Sequence, residues 1–191
     1  VLSCQPLWDC VQAVEAEDPR PARRLLMTPQ GVPFRQDLAE RLAGEDRLLV
    51  IAGHYEGIDE RVVEALAPEE VSIGDFVLSG GELPALVLVD AVVRLLPGVL
   101  GHGDSAAEDS FARRILNDDR GRPVAEQRLL DCPHYTRPRV WNDRAVPEVL
   151  LGGDHEAVAR WRQQQMLERT RTRRPDLLEH PPSPPPASSE A

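Results

Sequence analysis

The sequence predicts an α/β fold with a mainly parallel sheet, followed by a small helical C-terminal domain. Three observations carry that prediction. Short apolar runs alternate with amphipathic segments through the first half of the chain, the signature of strand–helix–strand units. The run "RLLVIAG" (47–53) is apolar without alternation, as in a parallel strand buried on both faces. Near the C-terminus, "GGDHEAVARWRQQQMLERTRTRRPDLL" carries a capping Asp154 and places Val158 and Trp161 on one face, the pattern of a helix standing outside the sheet.

The elements follow in order. "VLSCQPLWDCVQAVEAE" reads as an amphipathic helix through Leu7, Val11 and Val14. "ARRLLMTPQG" (22–31) is a short apolar strand broken by Pro29 and Gly31. "RQDLAERLAGED" (35–46) is a helix with Leu38 and Leu42 four apart and Gly44 as its stop. After the strand at 47–53, "DERVVEALAP" (59–68) gives a short helix ended by Pro68. "EVSIGDFVL" supplies a third strand or a pair of short ones. "ELPALVLVDAVVRLLPG" (82–98) is an apolar helix with Pro84 in its first turn and Pro97 as its stop. These elements make a domain of residues 1–98.

Beyond it, residues 99–129 are polar, rich in Gly and Asp and without clear periodicity, and read as a flexible interdomain linker. Residues 130–179 then form the helical domain, opened by the Pro-interrupted "LLDCPHYTRPRVW". Residues 180–191, "HPPSPPPASSEA", are expected to be a disordered tail.

Composition narrows the function classes. No apolar run approaches the roughly 20 residues that span a bilayer, so no membrane partner is expected. The cysteines are Cys4, Cys10 and Cys132. They are odd in number, with no C-x-x-C pair, which argues against a disulfide framework or zinc site and for a reduced, cytoplasmic setting. Net charge is −10, but its distribution matters more. Residues 1–136 hold 13 arginines and 24 acids, whereas residues 137–174 hold nine arginines and five acids. An acidic body with an arginine-rich C-terminal segment suits an RNA-binding protein.

Three polar, glycine-bearing segments, "TPQG", "GHYEGIDER" and "SIGDFVLSGGELP", each follow the C-terminal end of a strand. That edge of an open α/β sheet is where ligands bind, so the three loops are expected to share one pocket. Gly53, Gly57, Gly74, Gly80 and Gly81 permit backbone approaches that a Cβ would block. No G-x-G-x-x-G, P-loop lysine, G-x-S-x-G elbow or H-E-x-x-H occurs. Cys132 beside His134 admits a Cys/His nucleophile, although a packing cysteine is the commoner meaning. Trp141 and Trp161 either stack on bases or pin the small helical unit to its neighbour.

Six segments occur in a specific order: "GHYEGIDERV", "SIGDFVLSGGELPA", "PGVLGH", "EDSF", "LLDCPHYTRP" and "RRPDLL". In these the chain, over residues 1–178, resembles the bacterial tRNA (guanine-N1-)-methyltransferases, members of the SPOUT or trefoil-knot class. The resemblance implies a deep trefoil knot, which periodicity alone would not suggest. It implies methylation of guanosine N1 at tRNA position 37, 3′ of the anticodon, by a homodimer using S-adenosylmethionine. Pro29, Gly53, Tyr55, Glu56, Gly57, Ser72, Ile73, Gly74, Leu78, Gly80, Gly81 and Pro84 are then expected to form the cofactor pocket.

By the same resemblance Asp109 of "EDSF" is the general base, reaching the partner subunit's pocket, and Arg94 stabilises charge at O6. An ordinary aspartate titrates near about 3.9, so position and surroundings must help it. Magnesium is implied too, with Glu56 or Asp109 as candidate ligands. Arg137, Arg139, Arg160, Arg162, Arg169, Arg171, Arg173 and Arg174 are expected to contact RNA phosphates.

Two departures stand out. Members of the family open with a strand and a Tyr-Gly-Gly-Gly-Pro-Gly loop ahead of the point that matches Val1, so a chain beginning there is expected to bind cofactor weakly. "RRILNDDRGRPVAEQR" is longer than the family's usual link, as an insertion would be. Two other readings stay open on the sequence: a non-catalytic cofactor- or RNA-binding remnant, and a related knotted RNA methyltransferase with another target.

Overall fold

The computed structural model describes residues 1–54, 56–99, 109–117 and 122–179. It divides into two compact units, residues 1–103 and 104–191.

The first unit is a three-layer α/β sandwich. Three parallel strands, β1 (Arg23–Pro33), β2 (Leu48–Ala52) and β3 (Glu69–Ser72), lie in the order β2-β1-β3. Successive residues of a strand point to opposite faces, so β1 feeds two cores. Leu25 and Met27 meet α2 (Gln36–Ala43) and α4 (Glu82–Val93) through Leu38, Leu42, Leu88 and Val92. Leu26 meets α1 (Cys4–Ala16) and α3 (Glu60–Leu66) through Val11, Val62 and Leu66.

Two expectations are corrected in this sheet. β1 is not broken at Pro29 but continues to Pro33 with a register shift: Met27 and Val32 both stand opposite Val71. Residues 28–31 bow out between them, and Gly31 returns so close to Glu70 and Val71 that a Cβ would overlap their backbone. β3 ends at Ser72 rather than near residue 78. Gly74, at φ 150°, turns the chain away, and the following loop pairs Gly80 with His54 in an isolated bridge.

The second unit begins with a correction as well. The stretch expected to be a flexible linker contains an antiparallel hairpin, β4 (Arg113–Asn117) and β5 (Pro123–Arg128). Its alternation is faint because Leu116 packs inward while Ile115 stays 66% exposed. A second hairpin, β6 (Val140–Trp141) and β7 (Arg144–Ala145), turns through Asn142 and Asp143, both at positive φ. That is the geometry of a two-residue primed turn.

The expected long helix is α5 (His155–Arg173), with the Asp154 carboxylate accepting from the Ala157 amide; a short α6 (Asp176–Glu179) follows. The unit's core joins Leu129, Cys132 and Met166 to Leu116, Leu167 and Leu178. The expected tail, residues 180–191, lies outside the described residues. Among those described, no helix is long and apolar enough to cross a membrane.

Candidate functional site

The first unit holds a cavity of about 500 Å³ at the C-terminal ends of its strands. Strand ends and the loops after them build its walls: Thr28, Pro29 and Gln30 from the bow in β1, Gly53, His54 and residues 56–58 after β2, and residues 72–74 and 76–81 at the end of β3 and beyond it. Eleven of the twelve residues expected in a cofactor pocket line it: Pro29, Gly53, Glu56, Gly57, Ser72, Ile73, Gly74, Leu78, Gly80, Gly81 and Pro84. The twelfth, Tyr55, lies outside the described residues.

Glycine is required at two of these positions for different reasons. Gly57 sits at φ 131°, a conformation that L side chains rarely adopt. Gly81 has ordinary torsions, but its amide donates to the Gly53 carbonyl at 2.7 Å. A Cβ there would lie 2.8 Å from Ala52 Cα and from the Gly53 nitrogen. Buried Ser72 stiffens the opposite wall, its hydroxyl donating to the Gly74 carbonyl and accepting from the Gly74 amide at 3.1 and 3.2 Å.

The cavity's electrostatics point away from phosphate. Among the described residues its lining includes Glu56, Glu60 and Glu70 and neither arginine nor lysine. Apolar Ile73, Leu78 and Pro84 complete it. Such a lining suits a ligand with an apolar ring and a positive centre, and repels anions. Sequence reasoning did not single out His54, Glu60 or Glu70, although His54 and Glu60 lie within the segment "GHYEGIDER" that it placed at the pocket.

Arg94 follows α4 and is half-buried, and it is not among the residues lining this cavity. Asp109 belongs to the second unit, where its carbonyl accepts from the Ala112 amide at 3.3 Å.

A second cavity, of about 560 Å³, lies within the C-terminal unit. Arg137, Arg139 and Arg162 line it with His134 and Tyr135 over an apolar floor of Val146, Leu150 and Val158. Among the described residues its lining includes no carboxylate side chain, so the arginines give it a positive character. The Tyr135 and Trp161 rings lie 6.3 Å apart at 52°, which pins the loop to α5.

The other expected RNA contacts are differently disposed. Arg160 pairs with Glu156 and Arg171 with Glu168 along the exposed helix, at 3.6 and 3.7 Å. Arg169 reaches the Asp131 carbonyl at 3.5 Å, and Arg173 is exposed. Arg174 forks onto the Asp176 carboxylate at 2.8 and 2.6 Å.

Asp131, Cys132 and His134 bring potential metal ligands within 4.8 Å of one another. Their contacts already account for them. Asp131 Oδ2 and His134 Nε2 are 2.7 Å apart. Burial of Asp131 favours its neutral form, but the His134 contact and the Cys132 amide outweigh this and hold it below the usual carboxylate range. Burial, then the Asp131 charge, pushes the Cys132 thiol up. A buried thiol so shifted is a packing group and a poor nucleophile.

Fold and cavities together define an α/β protein with a cavity at the C-terminal edge of a parallel sheet and an arginine-lined cavity in its second unit. The sequence profile of the family described as tRNA (Guanine-1)-methyltransferase TrmD matches residues 1–180. The chain belongs to this family. It is 52% identical over 179 residues to a tRNA (guanine-N(1)-)-methyltransferase of Alcanivorax borkumensis, covering 94% of this chain and 63% of that one. It is 54% identical over 178 residues to the protein of the same name from Halorhodospira halophila, covering 93% and 62%. The chain thus spans less than two thirds of the length of these curated relatives.

Proposed function

We propose that this chain is the cofactor-binding and RNA-binding part of an enzyme that methylates guanosine N1 at position 37 of tRNA from S-adenosylmethionine, working as a cytoplasmic homodimer. The observation that carries this reading is the first cavity: eleven expected positions meet around one space whose lining is acidic and apolar. The group fits there, because a sulfonium and an ammonium are favoured beside Glu56, Glu60 and Glu70, while Ile73, Leu78 and Pro84 suit an adenine. Gly81 and Gly57 keep the walls open where a Cβ would intrude or strain the backbone.

When bound, S-adenosylmethionine supplies an electrophilic methyl group. The chain's own residues do the rest. Asp109 accepts the proton leaving N1, as general-base work requires, and Arg94 donates to O6 as negative charge gathers there. Glu56 or Asp109 would supply the carboxylate oxygen for magnesium. Arg137, Arg139 and Arg162 receive phosphates at the second cavity, and the exposed arginines of α5 extend that contact.

We further propose the trefoil knot. The loop after β3 passing to the Gly53 end of β2 supports it, since β1 lies between those two strands. The homodimer is supported by α4, which carries apolar residues on an exposed flank as well as on its core face. Pro84, Leu88 and Val92 enter the core, yet Leu83 and Leu86 stay 63% exposed. An apolar face of that kind marks a protein contact.

Incubation with S-adenosylmethionine and an unmodified tRNA transcript, followed by nucleoside mapping, tests the proposal. N1-methylguanosine at position 37, lost when that base is replaced by adenosine, is the expected product. Calorimetric binding of the cofactor with no methylated product would mark a binding protein instead. Methylation of another atom or position would mark a different enzyme of the same fold.

A further inference from the structure

The segment that carries Asp109 is held by an unusual set of contacts, all inside the C-terminal unit. Phe111, two residues on, has φ 68°, a left-handed conformation that a β-carbon disfavours and that persists only where its surroundings enforce it. Four contacts do so. The Phe111 amide donates to the Leu129 carbonyl at 2.8 Å. Arg128 Nη1 donates to the Phe111 carbonyl at 2.5 Å. The Asp131 amide donates to Ser110 Oγ at 3.0 Å. The Arg174 guanidinium stands 5.6 Å above the Phe111 ring centroid, within cation–π range.

Arg174 is itself held at its backbone, at one edge of its guanidinium and on one face. Its guanidinium forks onto Asp176 at 2.8 and 2.6 Å, and its amide donates to the Thr170 carbonyl at 2.8 Å. Thr170 is fully buried, accepting from the Leu130 amide at 2.9 Å and donating to the Met166 carbonyl at 2.7 Å. One face of the guanidinium is thus spent on Phe111 and its fork on Asp176. The fork takes Nε and Nη2, so only the Nη1 end of the five-donor guanidinium is left to meet a phosphate.

We propose that Arg174, through Phe111, is a positioning residue for Asp109 rather than an RNA contact. The proposal rests on the reading of Asp109 as general base. A base works only within hydrogen-bond reach of the proton it takes. The path from Asp109 to a left-handed Phe111 fixes where that carboxylate leaves the backbone, and the stack on Arg174, just past the end of α5, keeps Phe111 left-handed. The same basic segment that offers arginines to RNA therefore also holds the base in place.

Arg174→Lys and Phe111→Leu in the full chain test this. Lysine keeps the charge but loses the fork and the planar stack. Both variants are expected to lower kcat about 10- to 100-fold, the scale of a misplaced reacting group, with KM for tRNA within about twofold of the parent. The double variant is expected to be no worse than either single one, as for residues acting through one contact. Amide hydrogen exchange at Ser110 to Ala112 is expected to quicken in both, a readout independent of activity.

A raised KM in Arg174→Ala, with a salt slope shallower by about one and an unchanged kcat, would identify a phosphate contact and overturn the proposal. Asp109→Asn, run alongside, separates the two possible failures. Full activity there overturns the base assignment, whereas an inactive Asp109→Asn beside unaffected Arg174→Lys and Phe111→Leu overturns the positioning role alone.

Discussion

The amide of Gly81 donates to the carbonyl of Gly53 at 2.7 Å, so the loop after β3 is stitched to the end of β2 across the mouth of the cavity. Backbone meets backbone here, and neither side has a flexible end that can yield. A Cβ on Gly81 would sit 2.8 Å from two atoms of Ala52 and Gly53. Gly81→Ala is expected to lower stability by about 1–3 kcal/mol and to weaken S-adenosylmethionine binding by about tenfold or more in calorimetry. Gly44→Ala is the control. Its Cβ would meet nothing closer than 3.4 Å, and the residue has right-handed torsions. It should leave affinity unchanged and stability within about 1 kcal/mol of the parent. Equal losses in both variants would contradict the steric account.

The exposed flank of α4 gives a prediction about assembly. Leu83 and Leu86 are each 63% exposed and Val87 is 49% exposed, on a helix whose other stripe is already in the core. Leu86→Asp should therefore leave the fold intact by circular dichroism while shifting the mass in light scattering from two chains to one. A parent protein that already runs as one chain at micromolar concentration would remove the basis for the dimer.

Arg47 caps the end of α1 in a way that makes it a stability residue. Its two terminal nitrogens donate to the carbonyls of Val14, Glu15, Asp18 and Arg20 at 2.6–3.1 Å. Helix C-termini leave such carbonyls without intrahelical partners, and a cation there also opposes the helix dipole. Arg47→Met keeps much of the aliphatic stem and removes the donors. A loss of about 2 kcal/mol is expected in urea unfolding, with cofactor affinity unaffected. A midpoint equal to the parent's would mean that solvent replaces the guanidinium at no cost.

Local signals carried most of what was legible in the sequence. β2 and α5 announce themselves through an unbroken apolar run and the Asp154 cap, each a matter of a few neighbouring residues. The pocket was legible for the same reason, since its glycines cluster at strand ends. The β4–β5 hairpin was overlooked although "NDDRG" (117–121) stands between its flanks as a turn signal, because the flanks hold too few inward-facing apolar residues to show an alternation. The Asn142-Asp143 turn was readable in principle, as a pair of residues tolerant of positive φ between two short β-prone segments. The position of Arg174 was not readable at all. In sequence it is one arginine in a basic run, and only tertiary folding brings Phe111 beneath it. The acidic character of the cavity was hidden likewise, since Glu70 comes from β3 and Glu56 from the loop after β2.

The ion pair between Glu15 and Arg24 sets an acid limit on the first unit. Arg24 Nε and Nη2 donate to the two Glu15 oxygens at 2.7 Å each, while Nη1 donates to the Leu66 carbonyl at 2.8 Å, so α1, β1 and α3 meet at one guanidinium. The Arg24 hydrogen bonds hold the Glu15 carboxyl below its ordinary range, against the opposing effect of its burial. The folded-state pKa therefore lies below the unfolded value of about 4.3. A group shifted in this direction contributes fully above the unfolded value and loses that contribution as pH falls through the folded one. Glu15→Gln should accordingly be less stable than the parent by about 1 kcal/mol at pH 7, the upper end for a solvent-accessible pair. The gap should hold down to about pH 5 and close below about 4.3 as the parent's carboxylate takes up its proton. Urea unfolding of both proteins between pH 7 and pH 3 measures it, and a gap that stays constant into the acid would show that the pair contributes by packing and not by charge.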